Sequence, residues 1–205
     1  MGARRSRDAY LLADWALKKV HNKQGSDWPT NLPRPNLRAA IGSDVNLANE
    51  LYLKAIAFVM FHEFAHIKLG HSQNTGSAAL PNEEAADRFA ADWILTRAAG
   101  PRVLEARALG IASAILTFYR FEQMLENKLI DHPHPMMRLE TCFSEYVDDR
   151  DNNVLGLAAL LVQVHGTLVS GEKLFADEKT YGELLAEFQF SVSRAKRRRP
   201  HNIGG

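Results

Sequence analysis

The sequence predicts a mainly α-helical protein, and three observations support this fold class. No run of the 205 residues alternates apolar and polar side chains for long enough to predict a sheet. Helix start and stop signals, by contrast, recur along the chain. With 46% hydrophobic residues, the chain can build one substantial core. We therefore expect a single domain over residues 1–205, with at most a small β element near residues 37–41.

Glycine, proline and capping residues predict where each helix begins and ends. A first, amphipathic helix is followed by a loop that contains three prolines. Asn82 is expected to cap the third helix, and Pro101 to be the first residue of the fourth. The expected helices cover residues 6–20, 45–70, 82–95, 101–127, a short stretch from 136, 152–168 and 177–195.

Composition narrows the class of protein. The formal net charge of +1 argues against a body built to bind nucleic acid, and the single cysteine, Cys142, excludes an internal disulfide framework. A reducing compartment, the cytoplasm, is therefore expected. The N-terminal residues lack the apolar core of a signal peptide, and the most apolar later run, residues 155–169, is too short to cross a bilayer. No membrane association is expected.

One stretch of the second helix, MFHEFAHIKLGHSQ, combines three histidines with a glutamate. His62 and His66 are four residues apart, so both imidazoles lie on one face of a helix and can converge on one metal ion. With Glu63 they form the H-E-x-x-H signature, in which two histidines bind zinc and the glutamate is the general base. The helix is mostly apolar, so we expect the side chains of His62, Glu63 and His66 to lie in the interior. A bound Zn²⁺ would supply the partner that these buried polar groups need.

Two histidines leave zinc one protein ligand short, and His71 is not the expected third. The metzincin pattern requires histidine six residues after the second histidine, where this chain has Ser72. Gly70 suits the left-handed position at a helix C-terminus, which places His71 just past the helix end.

A carboxylate on the next helix is the alternative third ligand. The segment PNEEAADRFAADW supplies Glu83, Glu84 and Asp87. Glu83 and Asp87 share a helix face, so one could bind the metal while the other accepts the free N–H of a ligating imidazole. Acidic residues also occur in the first turn of a helix without any metal, because the helix dipole favours them there.

The order of three motifs resembles gluzincin metallopeptidases. HEFAH, then EEAAD, then HPHPMMRL is similar to the pattern of thermolysin-like, HtpX-like, IrrE/ImmA-type and Lit-type proteins, over about residues 58–139. The resemblance implies a zincin-like helical metallopeptidase domain. It also implies that His62, His66 and Glu83 bind zinc, that Glu63 is the general base, and that Asp87 holds a ligating histidine.

The third motif adds two further candidate residues. His132 stands six residues before Arg138, as in the HtpX-like pattern. We expect His132 to stabilise the oxyanion of the transition state, and Arg138, with Asp87, to support the ligands without binding the metal. A simple turn between two helices is the alternative interpretation of this histidine and proline segment.

The departures from the pattern favour one relative. HtpX-like enzymes have transmembrane helices and a longer gap before the glutamate, whereas this chain has neither, so it looks more like the Lit family of phage-exclusion peptidases. That resemblance implies a zinc endopeptidase that cleaves a cytosolic protein, a translation factor in the type member, under control of a phage-derived trigger. We expect the catalytic core to cover about residues 44–146.

Two other functions fit parts of the sequence. A zinc-binding regulator could keep the ligands without catalysis, although structural zinc sites normally close their fourth position with a protein ligand. The basic tail, residues 194–205, could instead form a nucleic-acid-binding module. No aromatic residues interleave its charges, so a solvated tail is preferred and nucleic acid is not an expected partner.

Overall fold

The computed structural model describes residues 34–71, 79–124 and 135–146, with residues 15, 19, 27–29, 32, 133, 155, 156, 159, 180, 183 and 184. The principal elements are α1 (Asp44–Lys68), α2 (Ala79–Leu95), α3 (Pro101–Met124) and α4 (Pro135–Phe143). No described residue belongs to a strand. The predicted mainly α fold class is confirmed.

The chain divides into two compact units, residues 1–144 and residues 145–205. All four helices lie in the first unit and inside the predicted core of residues 44–146. In the second unit, Thr180 caps a helix: its hydroxyl accepts the Glu183 backbone N–H at 3.3 Å, and the Glu183 carboxylate accepts the Thr180 N–H at 2.8 Å. The expectation of one domain over residues 1–205 stays a prediction.

Helix α1 begins and ends at local signals in the sequence. Ser43 is its N-cap, and the Ser43 hydroxyl accepts the Asn46 backbone N–H at 3.3 Å. At the other end Gly70 has a φ of 68°, as expected for the left-handed position. The helix contacts α2 and α3, so it is the element on which the others are arranged.

Small residues allow the helices to approach closely. Ala86, Ala90 and Ala91 of α2 are all buried. Gly110 of α3 is buried against α1, where an added Cβ would overlap with Lys54 and lie 3.3 Å from the Ala55 backbone nitrogen. These positions bring the backbones of α1, α2 and α3 close enough for side chains of α1 and α2 to share one site.

The larger core side chains come from all four helices. The Arg107 guanidinium donates to the Ile94 carbonyl at 2.7 Å and so fixes α3 against the end of α2. Helix α4 packs on α2 and α3. The buried apolar side chains other than alanine in these helices are Phe58, Ile94, Leu95, Ile111, Ile115, Tyr119, Leu139, Cys142 and Phe143.

Several predicted boundaries are wrong, and local chemistry explains the differences. Residues 37–41 form turns and irregular backbone in place of a strand, with the Asn36 side chain accepting the Arg38 N–H at 2.9 Å. Asn82 does not cap α2, because the helix already includes Ala79. The helix expected over residues 177–195 has non-helical Thr180 as its N-cap. Pro101 is the first residue of α3, as predicted.

Other expected helices fall largely outside the described residues. Trp15 and Lys19, within the predicted first helix, are helical. Leu155, Gly156 and Ala159, within the predicted 152–168 helix, are also helical. Among the helices that the structure describes, none combines the length and apolar character needed to cross a bilayer.

Candidate metal centre

Helix α1 brings the two histidines of the H-E-x-x-H motif together. Their Nε2 atoms lie 3.1 Å apart, because residues four positions apart stack on one face of a helix. His62 is buried and His66 is partly buried. Each histidine therefore presents its Nε2 atom to the same small volume.

Glu83 of α2 faces both imidazoles. Its Oε2 atom is 3.2 Å from His62 Nε2, and its Oε1 atom is 3.3 Å from His66 Nε2. The three side chains form a group that could hold a metal ion, with ligand atoms all within 4.8 Å of one another. Glu83, the residue that the resemblance to the E-x-x-A-D motif selects, belongs to this group, whereas its neighbour Glu84 is not part of it.

The spacing of these atoms can be compared with the spacing of ligands around a tetrahedral zinc ion. Ligand atoms bound to zinc at about 2.0–2.2 Å in tetrahedral geometry lie roughly 3.3–3.6 Å from one another. The two Nε2 atoms are 3.1 Å apart, and the two contacts from Glu83, at 3.2 and 3.3 Å, are made by its two different oxygens, so the three groups lie near enough for one ion. Two imidazoles and one carboxylate are also a ligand set that zinc uses in catalytic sites, with one position left open.

Asp87 contacts His62 at Nδ1, the ring nitrogen that faces away from Glu83. Its Oδ1 atom is 2.9 Å from His62 Nδ1, one helical turn beyond Glu83. The Asp87 side chain is fully buried, and Arg138 of α4 donates to both of its oxygens at 2.7 and 2.8 Å. This paired geometry neutralises a buried carboxylate that would otherwise be costly. The structure therefore places Asp87 and Arg138 beside the candidate ligands.

Burial and neighbouring charges act in opposite directions on the two histidines. Burial lowers the pKa of His62, but hydrogen bonds to Asp87 and Glu83 outweigh burial and raise that pKa to about 9. The pKa of His66 is lowered, first by burial and then by the positive charge of His62. Without a metal, His62 is protonated at neutral pH, and a metal at Nε2 would replace that proton.

Glu63 lies next to the site, but not in the interior. Its side chain is exposed, although the sequence predicts it to be buried with the two histidines. Adjacent helical residues point about 100° apart, so Glu63 cannot share the face that His62 presents to α2. Its exposure leaves the carboxylate accessible to water.

His71 has a contact that the sequence does not predict. Its Nδ1 atom is 3.1 Å from His66 Nδ1, the ring nitrogen that faces away from Glu83. The group of three candidate ligands does not include His71. The signal that could have suggested this contact is Gly70, whose left-handed conformation turns the chain back over the last helical turn.

The expected oxyanion donor and the single cysteine remain to be placed. His132, the expected oxyanion donor, lies outside the described residues, and so does His134. Cys142 is buried beside the candidate site, with its Sγ atom 3.9 Å from the Asp87 carbonyl oxygen. Burial raises the pKa of the Cys142 thiol well above its usual value, so this cysteine stays a neutral packing residue.

Comparison with known proteins identifies the family. The chain matches the family model described as Peptidase U49 over residues 3–158. It is also 28% identical over 200 residues to the cell death peptidase of Escherichia coli (strain K12), in an alignment that covers 94% of this chain and 65% of that relative. No solved structure matches the chain. Both matches support the resemblance to Lit-type peptidases. The chain therefore belongs to the Peptidase U49 family.

Proposed function

We propose that this chain is a zinc-dependent endopeptidase of the gluzincin type. One observation carries the proposal: His62 and His66 of α1 and Glu83 of α2 converge with ligand atoms within 4.8 Å of one another, and two imidazoles with one carboxylate are a ligand set that zinc uses in catalytic sites. Membership of a peptidase family supports hydrolysis of a peptide bond as the reaction. The relative named as a cell death peptidase supports a protein substrate.

Different residues of the chain would carry out different steps of hydrolysis. A bound zinc ion would polarise the scissile carbonyl and make a water molecule acidic. Glu63 accepts a proton from the attacking water and then delivers it to the leaving amine, so that the peptide bond is replaced by a carboxylic acid and an amine. His132 would donate a hydrogen bond to the oxyanion. Asp87 holds His62 by its Nδ1 atom, so that Nε2 stays directed at the metal position.

The substrate proposal rests on the family resemblance. We infer a cytosolic protein as the substrate, and a translation factor is the class that the resemblance to Lit-type peptidases implies. A phage-derived trigger is part of the same inference. Proteome-wide labelling of new protein termini, in cells that express this chain or its Glu63→Gln variant, tests it. Termini that appear only with Glu63 support the proposal, and identical sets of termini contradict it.

Glu63→Gln provides the sharpest test of the catalytic role. We expect the variant to bind close to one zinc ion per chain, because Glu63 is not a ligand, and to lose proteolysis, because glutamine cannot accept the proton. Metal analysis and a cleavage assay measure the two effects. Glu50→Gln is the matched control, since Glu50 lies on α1 away from the site and pairs with Lys54. Full activity of Glu63→Gln, or a wild-type chain without zinc, would refute the peptidase mechanism.

A further inference from the structure

The histidine that follows α1 contacts a candidate ligand through two hydrogen bonds. The His71 backbone N–H donates to the His66 carbonyl at 2.9 Å. The Nδ1 atoms of the same two residues are 3.1 Å apart, and their rings are edge-to-face. Both the backbone and the side chain of His71 are therefore fixed to His66.

The end of the helix explains how this contact arises. Gly70, with a φ of 68°, donates its N–H to the Ile67 carbonyl at 3.2 Å, while His71 donates to the His66 carbonyl. These two bonds make a Schellman motif, in which the chain reverses over the last helical turn. The reversal places the His71 side chain beside the ring of His66 instead of leading it away from the helix.

The two candidate histidine ligands thus have matching outer partners. Nδ1 of His62 contacts Asp87, and Nδ1 of His66 contacts His71, while both Nε2 atoms face Glu83. A metal-binding imidazole must offer a lone pair at one nitrogen, and its tautomer is set by what the other nitrogen contacts. An acceptor at Nδ1 keeps the proton there and leaves the Nε2 lone pair free.

We propose that His71 is a positioning residue, which accepts the Nδ1–H of His66 and so directs the Nε2 lone pair of His66 at the metal. The inference rests on the proposed function, because it takes His66 as a zinc ligand. In this arrangement His71 carries its own proton on Nε2 and accepts through Nδ1. His71 does not bind the metal and takes no part in proton transfer to the substrate.

Zinc affinity of three chains tests the proposal. We expect His71→Ala to weaken zinc binding about 10–100-fold, the usual cost of removing an outer hydrogen-bond partner from a metal ligand. His71→Asn should restore most of that loss, since the asparagine Oδ1 atom can occupy the position of the His71 Nδ1 atom and accept the same proton. Competition for zinc ions with a chromophoric chelator measures all three affinities without reference to proteolysis.

Unfolding of the metal-free chains separates positioning from a merely structural role. Without zinc, the restored contact with His66 should make His71→Asn only slightly more stable than His71→Ala, a smaller difference than the one between their zinc affinities. Equal zinc affinity of the wild type and His71→Ala, or no recovery in His71→Asn, would overturn the positioning role while leaving the metal centre intact. A wild-type chain that binds no zinc would overturn the proposed function and this inference together. Zinc binding without proteolysis would contradict only the peptidase activity.

Discussion

At the scale of single residues, the site depends on which atom each side chain presents. His62 and His66 both direct Nε2 at the same point, because their Nδ1 atoms have other partners. Glu83 approaches with both carboxylate oxygens. Glu63 stands outside this arrangement with an exposed side chain. The geometry of these four side chains therefore separates the three candidate ligands from Glu63, the candidate base.

Glu83 and Glu84 give a residue-scale prediction. Only Glu83 faces the histidines, since the next helical residue points about 100° away. Glu83→Ala should weaken zinc binding by more than the roughly 10–100-fold that loss of an outer partner costs, because it removes a ligand. Glu84→Ala should leave zinc affinity within about threefold of wild type, as the matched control. Chelator competition measures both variants, and equal losses would mean that the ligand assignment on α2 is wrong.

At the scale of helices, the site is built where two elements cross and a third supports them. Helix α1 carries the histidines, α2 carries Glu83 and Asp87, and α4 carries Arg138. The ion pair between Asp87 and Arg138 joins α2 to α4 directly beneath His62. Stability and the proposed metal binding would be coupled at this junction, because the same carboxylate contacts both Arg138 and a candidate ligand.

Arg138→Met should therefore be strongly destabilising. It removes the guanidinium that pairs with the buried Asp87 carboxylate and leaves only His62 beside it, and breaking a buried ion pair typically costs about 3–5 kcal/mol. Burial raises the pKa of Asp87, but Arg138 and His62 outweigh burial and lower that pKa below its ordinary value of 3.8. The contribution of Asp87 is thus present at pH 7 and is lost only as the pH falls through the lowered pKa.

Chemical denaturation at pH 7 measures the effect of this change. Arg138→Lys is the control, because it keeps the positive charge but loses the paired hydrogen bonds, and it should cost less than Arg138→Met. A loss of under about 1 kcal/mol for Arg138→Met would show that the ion pair does not hold α2 and α4 together.

The contact between α1 and α3 gives a second prediction at this scale. In Gly110→Ala, the new methyl group would overlap with Lys54 and lie 3.1 Å from a backbone carbon that cannot move freely. The gain in helix propensity is about 1 kcal/mol, whereas overpacking typically costs about 1–3 kcal/mol and backbone contact is at the upper end. We expect a net loss of roughly 1–2 kcal/mol in unfolding free energy. Thr117→Ala, on the exposed side of α3, is the control and should not lower the unfolding free energy by a similar amount. A Gly110→Ala chain that is more stable than wild type would contradict the close approach of α1 and α3.

At the scale of the whole molecule, a metal ion would join segments that are distant in the sequence. The candidate ligands come from α1 and α2, and their supporting residues come from α2 and α4. An unfolded chain cannot hold these groups together, so zinc would bind the folded state preferentially. Metal binding should therefore contribute to the stability of the chain as well as to its chemistry.

Thermal unfolding with and without zinc tests this coupling. At a free zinc concentration 1,000 times the dissociation constant, binding stabilises the folded state by about 4 kcal/mol. For a chain of this size we expect a rise in Tm of roughly 8–16 °C, reversed by a chelator. Glu83→Ala is the control, since it lacks one ligand and should show a much smaller rise. A wild-type Tm that does not respond to zinc would contradict the proposed metal centre.

The sequence by itself determined the helical class and the local features of the site. Ser43, Gly70 and Pro101 act on neighbouring backbone, so their effects on helix ends follow from local rules. The spacing of His62 and His66 similarly requires only the helical period to bring their rings together. Resemblance to known motifs, and not spacing alone, separated Glu83 from Glu84 before the structure did.

Only the tertiary structure decided how separate helices meet. It placed Glu83 between the two histidines, set Arg138 against Asp87 and showed that Gly110 lies against Lys54. It also exposed Glu63, which the apolar composition of α1 suggested would be buried. These outcomes depend on which faces of different helices pack together, and the sequence of one helix does not specify which face of another helix it will contact. The contact between His71 and His66 needed the three-dimensional path of the chain after Gly70, because the position of a side chain beyond a helix end depends on how the backbone reverses there.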